Sequence, residues 1–154
     1  MDVKFVNPFL KATNETFNTM IGIEPTMEKP IIKGPGAEHH FDVSGVIGLS
    51  GEAQGSIAIS FSKITALRTV SKMLGTEIKI VNSDLTDGIG EIANIIAGYA
   101  KQYLIDYKVS VSLPNVVVGS GHKITTSTSI SVNTIVIPYK CDLGEFALEV
   151  ALKT

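Results

Sequence analysis

The longest helical pattern in the chain runs from about residue 84 to residue 107, and it limits the fold more than any other feature. At 100° per residue, its larger apolar side chains fall within about 60° of one direction. They are Leu85, Ile89, Ile92, Ile96, Tyr99, Ala100, Tyr103 and Tyr107. Asn82 or Ser83 can cap the first turn. A helix with one apolar face requires a second layer to pack against, which the rest of the chain must supply.

Strand patterns supply that layer. Residues 41–49 and 55–61 flank a turn at 51–54 and predict a hairpin, and further strands are predicted at 110–113, 116–118, 125–138 and 145–152. Two more helices are predicted, one at 7–21 with Asn7 as cap and Pro8 at its first position, and one at 63–74 capped by Ser62. A proline-containing connector at 24–36 holds one short extended piece at Ile31 and Ile32.

These elements predict a single α+β domain over residues 1–154, with an antiparallel sheet and helices packed on one face. A pseudo-repeat is visible, because each half contains a helix, a proline-containing connector and a hairpin, at 43–61 and at 130–152. The formal net charge of −2 disfavours a nucleic-acid partner. The chain has a single cysteine, which excludes an intrachain disulfide. Without a signal-peptide pattern or an apolar run of about 18 residues, we expect a cytoplasmic protein that does not cross a membrane.

Polar residues form a second stripe on the long helix, on the side opposite the apolar one. Its members are Asp87, Glu91, Asn94, Gly98 and Lys101. Glu91 and Asn94 are three residues apart, so one docked group can reach both. Gly88, Gly90 and Gly98 each cost roughly 1 kcal/mol of helix propensity. We expect them to serve something other than the core, such as the close approach of another backbone at Gly98. Periodicity alone favours an ordinary solvated face.

Residues 87–98 resemble the acidic, Glu-x-x-Asn and small-residue pattern of the CheC/CheX/FliY phosphatases of bacterial chemotaxis, and the layout of nearly the whole chain resembles CheX. The resemblance implies hydrolysis of the aspartyl phosphate on a CheY-like receiver domain. Asn94 would orient the attacking water and Glu91 would dock the active-site Lys of the receiver, with Asp87 and Gly98 in the partner-binding surface. It also implies one site per chain, a homodimer, and Mg²⁺ supplied by the receiver rather than a cofactor of this chain.

Glu15 and Asn18 repeat the motif spacing in the first helix. They are the weaker candidates for a second site, because no small residues follow Asn18 and because Phe17 and Met20 favour a core-facing helix. No metal site is predicted, since His39 and His40 would point to opposite faces of a strand. Residues 119–123 are interpreted as a turn rather than as an anion-binding loop.

Two rival functions remain open. One is a non-catalytic module that binds a receiver or another signalling partner through the same helix face. The other is a structural or small-ligand domain that uses the sheet. Hydrolysis above the partner's own rate separates the first rival from a phosphatase, and a pocket among the strands would support the second.

Overall fold

The structure is a computed structural model that describes residues 3–33, 41–122 and 134–153. Helix α1 (Val3–Thr16) continues into a π-helical turn (Phe17–Ile21), and α2 (Lys63–Leu74) is followed by α3 (Ser83–Tyr103). The strands are β1 (Thr26–Met27), β2 (Ile31–Lys33), β3 (Phe41–Gly51), β4 (Gln54–Phe61), β5 (Val109–Val111), β6 (Asn115–His122), β7 (Thr134–Cys141) and β8 (Gly144–Lys153). No helix in these ranges is both long and apolar enough to cross a membrane.

The described strands form one antiparallel sheet of eight strands in the order β1-β7-β8-β4-β3-β5, with β2 also paired to β7 and β6 also paired to β3. Two long hairpins, β3/β4 and β7/β8, meet at the centre through β4 and β8. The short strands from each half of the chain pair with the hairpin of the other half. This arrangement confirms the predicted α+β class with an antiparallel sheet, and its order agrees with the pseudo-repeat.

The helices pack on one face of the sheet and share one core with it. The backbone of β3 approaches α3 at Gly45, where an added Cβ would lie 2.9 Å from the Cβ of Ala93. The π-helical turn packs on β8, because the rings of Phe17 and Phe146 stack with centroids 4.4 Å apart. Side chains alternate along each strand, so the residues between these core positions point to the other face.

The first helix begins earlier than predicted. It starts at Val3, so Asn7 is not its cap and Pro8 lies inside it. Proline there gives up one backbone hydrogen bond, but Phe5 and Val6 are both buried and the Phe5 ring packs against Tyr107. Burial of these side chains favours the helical start that the cap pattern did not indicate. The predicted second helix is confirmed, with the Ser62 hydroxyl accepting from the Thr65 amide.

Other differences fall on strand ends. The sequence missed β1, and residues 119–122 belong to β6, so their interpretation as a turn was wrong. Strand pairing with β3 overrides the local preference of a glycine-containing run for a turn. His39, His40 and residues 125–133 of the predicted strand lie outside the described residues.

Met20 is exposed rather than in the core, because the π-helical turn changes the direction of the side chains that follow it.

A carboxyl group is buried in the middle of β8. Glu149 is 8% exposed and lies between core residues Leu148 and Val150, so it points to the sheet face opposite the helices. Burial raises the pKa of Glu149 to about 7, and the positive charge of Lys33 opposes this shift. The folded protein therefore holds a proton on Glu149 at pH values where the unfolded chain releases it.

We expect this group to make stability depend on pH. The pKa of Glu149 is higher in the folded state (about 7) than the ordinary 4.5, so stability falls as pH rises from about 4.5 to above 7. The loss is on the order of 3 kcal/mol at most. Urea unfolding at pH 5 and pH 8 should show a smaller difference for Glu149→Gln than for the parent. Glu145→Gln, on the exposed end of the same strand, is the control; an unchanged difference in Glu149→Gln would contradict the assignment.

Candidate functional site

Helix α3 carries the candidate site, and its position is set by capping and close packing. The Asn82 side-chain oxygen accepts from the Leu85 amide at 3.0 Å, which begins the helix one residue before the predicted start. Leu85, Ile89, Ile92, Ile96 and Ala100 are fully buried. The helix ends at Tyr103, so its predicted extension to Tyr107 was wrong, because Tyr107 packs on Phe5 from beyond the helix. Tyr99 and Tyr103 are half-buried at the edge of the core. The core face of this helix is therefore as predicted.

The polar stripe lies on the opposite side of α3. Asp87, Glu91, Asn94, Gly98 and Lys101 are all exposed, as the helical count predicted. Within the described part of the chain, the side chains of Glu91 and Asn94 have no hydrogen-bond or ion-pair partner. Asp87 and Glu91 are one turn apart, and like charges at that spacing destabilise a helix by a few tenths of a kcal/mol. Their charges are thus available to an external cation.

The three glycines of α3 differ in their surroundings. A Cβ on Gly88 would lie 2.6 Å from a methyl of Val70, so Gly88 permits the close packing of α2 on α3. Gly90 is buried beside Val116 and Pro114. The expectation that none of the three serves the core was therefore wrong for these two, because a helical count cannot show which neighbour is close. At Gly98 nothing lies within 4 Å, so its lack of a side chain has no intramolecular purpose among the described residues.

A short connection between β5 and β6 borders the stripe on one side. Its Pro114 lies 3.7 Å from the position of a Cβ on Gly90. By the helical count, Asn94 lies about 40° from Gly90 and one turn further along, so Asn94 leans toward this connection. Leu113 in the connection is 85% exposed. Residues 110–113 were predicted as a strand, and the position of this connection beside α3 was not predicted; an apolar residue between Ser112 and Pro114 was the available signal.

The second candidate pair spans the end of α1 and the π-helical turn, with Glu15 in α1 and Asn18 in the turn, and both side chains bond within the protein. The Glu15 carboxylate accepts a hydrogen bond from the Tyr103 hydroxyl of α3, and this bond raises the pKa of Tyr103 to about 12. Lys11 places its ammonium 4.1 Å from the centre of the Tyr103 ring. The Asn18 amide donates to the backbone carbonyl of Asn14 at 2.8 Å. Both polar groups of this pair contact the protein itself.

Other ligand sites find little support in the described residues. No group of three or more His, Cys, Asp or Glu side chains in these ranges is placed to hold a metal ion. A groove of about 220 Å³ beside β7 and β8 contains Glu28 and Lys140, whose charged groups pair at 3.0 Å. A second groove of about 430 Å³ contains Asp42, whose carboxylate accepts from the Lys63 amide at the start of α2. The carboxylates of Glu28 and Asp42 and the ammonium of Lys140 in these grooves are therefore already engaged.

Comparison with known proteins identifies the family of the chain. A family model described as chemotaxis phosphatase CheX matches residues 43–140, which include all of α3. The chain belongs to the CheX family of chemotaxis phosphatases. This confirms the resemblance drawn from the sequence, and with it the expectation of an enzyme from a phosphatase family.

Three individual proteins show how far the similarity extends. The CheY-P phosphatase CheX of Thermotoga maritima is 35% identical over 127 residues, which are 80% of this chain and 81% of that protein. The crystal structure of a CheC-like superfamily protein from Shewanella sp. PV-4 is 32% identical, covers 100% of both chains and has a TM-score of 0.89. The CheX-CheY-BeF3-Mg+2 complex from Borrelia burgdorferi is 24% identical, covers 97% of this chain and 98% of that one, and has a TM-score of 0.82. The last comparison shows the fold alone.

The surroundings of Gly88 and Gly98 predict opposite effects of the same substitution. Gly98→Ala should raise the free energy of unfolding by up to about 1 kcal/mol, because alanine favours the helix and its Cβ meets nothing. Gly88→Ala should lower it, because the new Cβ overlaps Val70. Chemical denaturation of both variants measures the difference. Equal effects would show that packing against α2 does not require Gly88.

Proposed function

We propose that this protein hydrolyses the aspartyl phosphate of a CheY-like receiver domain, with Glu91 and Asn94 on α3 as its site. The observation that carries the proposal is the pairing of these two exposed side chains on one helix face in a member of the CheX family. The named function of the Thermotoga maritima relative supports the substrate. The chemistry of the two side chains supports their roles.

Asn94 orients the attacking water. A carboxamide offers both a hydrogen-bond donor and an acceptor, so it can hold a water in line with the phosphorus atom without acting as a base. Phosphoryl transfer depends mainly on positioning and on stabilising charge. A water held by an exposed side chain of a rigid helix has a defined position, while the free amide of Asn94 has no competing partner among the described residues.

Glu91 docks the receiver by pairing with its active-site Lys. A carboxylate would repel a phosphoryl group that approached it directly, but it can form a charge-assisted hydrogen bond with an ammonium group. Asp87 adds a second negative charge one turn away, which increases the attraction for that cation. Gly98 has no side chain and no neighbour within 4 Å of an added Cβ, so the receiver backbone can come close to the helix there.

Mg²⁺ belongs to the receiver in this proposal. When bound there, the ion neutralises charge on the phosphoryl oxygens. The chain itself contributes the water-orienting amide and the docking carboxylate. A homodimer and a cytoplasmic location complete the proposal, as the family resemblance and the sequence led us to expect.

The roles predict different kinetic effects. Asn94→Ala should reduce the rate of phosphate release at saturating receiver by about a hundredfold or more, the loss typical of one positioned catalytic group. Glu91→Ala should mainly raise the receiver concentration needed for half-maximal rate. Release of inorganic phosphate from a phosphorylated CheY-like receiver measures both.

Asn14→Ala, which removes an exposed asparagine side chain from α1 instead of α3, is the matched control and should retain full activity. Glu15→Ala with Asn18→Ala tests the second pair, and we expect it to leave phosphate release unchanged. If the parent protein binds the receiver but does not accelerate phosphate release, the protein is a non-catalytic binding module. If neither Asn94→Ala nor Glu91→Ala slows a phosphatase-active parent, the site is elsewhere.

A further inference from the structure

An exposed leucine lies beside the proposed site, in the connection between β5 and β6. We propose that Leu113 is a docking residue that contacts an apolar side chain of the receiver next to its phosphorylated aspartate; this inference rests on the proposed function. Leu113 and Ile105 are the two most exposed large hydrophobic residues among those the structure describes, at 85% each. Only Leu113 adjoins the Glu91 and Asn94 face.

The leucine is held by a fixed backbone. The Ser112 amide donates to the Gly48 carbonyl at 2.9 Å, and the Gly48 amide donates to the Ser112 hydroxyl at 2.8 Å. The same hydroxyl donates to the Leu113 carbonyl at 2.9 Å. Pro114 restricts the residue before it to extended conformations. These hydrogen bonds fix the backbone that holds the Leu113 side chain in solvent. Exposure of this apolar side chain to water is unfavourable, and a partner that buries it would gain free energy.

The position of Leu113 relative to Asn94 supports a shared partner. Pro114 and Val116 lie against Gly90, one turn before Asn94 and on the side toward which Asn94 leans. A standard interface covers about 800 Å² on each protein, which corresponds to a circle of about 16 Å radius. A receiver centred on Glu91 and Asn94 therefore covers the β5–β6 connection as well.

The two sides of the stripe differ in chemistry, which identifies the occupant. Asp87 and Glu91 carry negative charge on the exposed face of α3, and Leu113 is an apolar side chain in the connection that borders this face. A receiver that places a Lys over Glu91 and its phosphoryl group over Asn94 would meet Leu113 at the edge of the same interface, where an apolar residue of the receiver would bury it. A charged residue at that position of the receiver would be desolvated without a partner, so Leu113 also discriminates among receivers.

The test compares Leu113→Asp with Ile105→Asp. Both remove an equally exposed aliphatic side chain, but Ile105 lies beyond the end of α3, about 19 Å along the axis from the middle of the Glu91 and Asn94 pair. We expect Leu113→Asp to raise KM for the phosphorylated receiver about tenfold with kcat nearly unchanged, as for a docking residue that becomes buried. Ile105→Asp should leave KM and kcat at the parent values. Leu113→Met, which keeps an apolar side chain, should retain most of the parent's affinity for the receiver.

Thermal unfolding and binding to a beryllofluoride-activated receiver accompany the kinetics. An unchanged Tm for Leu113→Asp together with weaker binding supports the proposal. Equal KM values for Leu113→Asp, Ile105→Asp and the parent would overturn it, as would a fall in kcat alone. A parent protein that does not accelerate phosphate release would instead overturn the proposed function, and the binding measurement would then decide whether Leu113 still contacts a receiver.

Discussion

The contact between β3 and α3 at Gly45 determines how the candidate site is presented. A side chain at Gly45 would meet Ala93 at 2.9 Å and the carbonyl oxygen of Ile89 at 3.1 Å, so only glycine allows the helix to lie this close to the strand. The height and rotation of α3 above the sheet follow from this approach. With the buried face fixed by Ile89 and Ala93, the opposite face must carry Glu91 and Asn94 outward.

The neighbours of α3 then reduce its free surface to a narrow band. Val70 of α2 packs against Gly88 on one side, and Val116 of β6 packs against Gly90 on the other. Both contacts need a small residue on α3, because a larger one would move the neighbouring element away. A Cβ at Gly88 would overlap Val70, whereas one at Gly90 would lie 3.4 Å from Val116, so Gly88 in particular allows α2 to border the Glu91 and Asn94 face this closely. Only Gly98 lies on the open surface itself.

The helical periodicity of α3 was sufficient to predict its buried and exposed faces, since its large apolar residues other than Ile95 repeat within about 60° of one direction. The sequence could not show that Gly45 lies beneath Ala93, or that the β5–β6 connection brings Pro114 beside Gly90. Those contacts join residues far apart in the chain, and their geometry depends on strand register. The start of α1 was mispredicted for a related reason, because burial of Phe5 outweighed the local signal of Pro8. Local patterns predict elements, whereas the boundaries of the site depend on tertiary packing.

The pseudo-repeat makes α1 the counterpart of α3, and the fates of the two Glu-x-x-Asn pairs explain why only one remains available. In α3 the pair lies in the middle of a regular helix, where residues three apart share a face. In α1 the pair crosses into the π-helical turn, so Glu15 belongs to the α-helix and Asn18 to the turn. Successive residues rotate less in a π-helix, so the two side chains diverge. Glu15 then reaches Tyr103 of α3, and the carboxylate that could dock a partner instead joins the two helices.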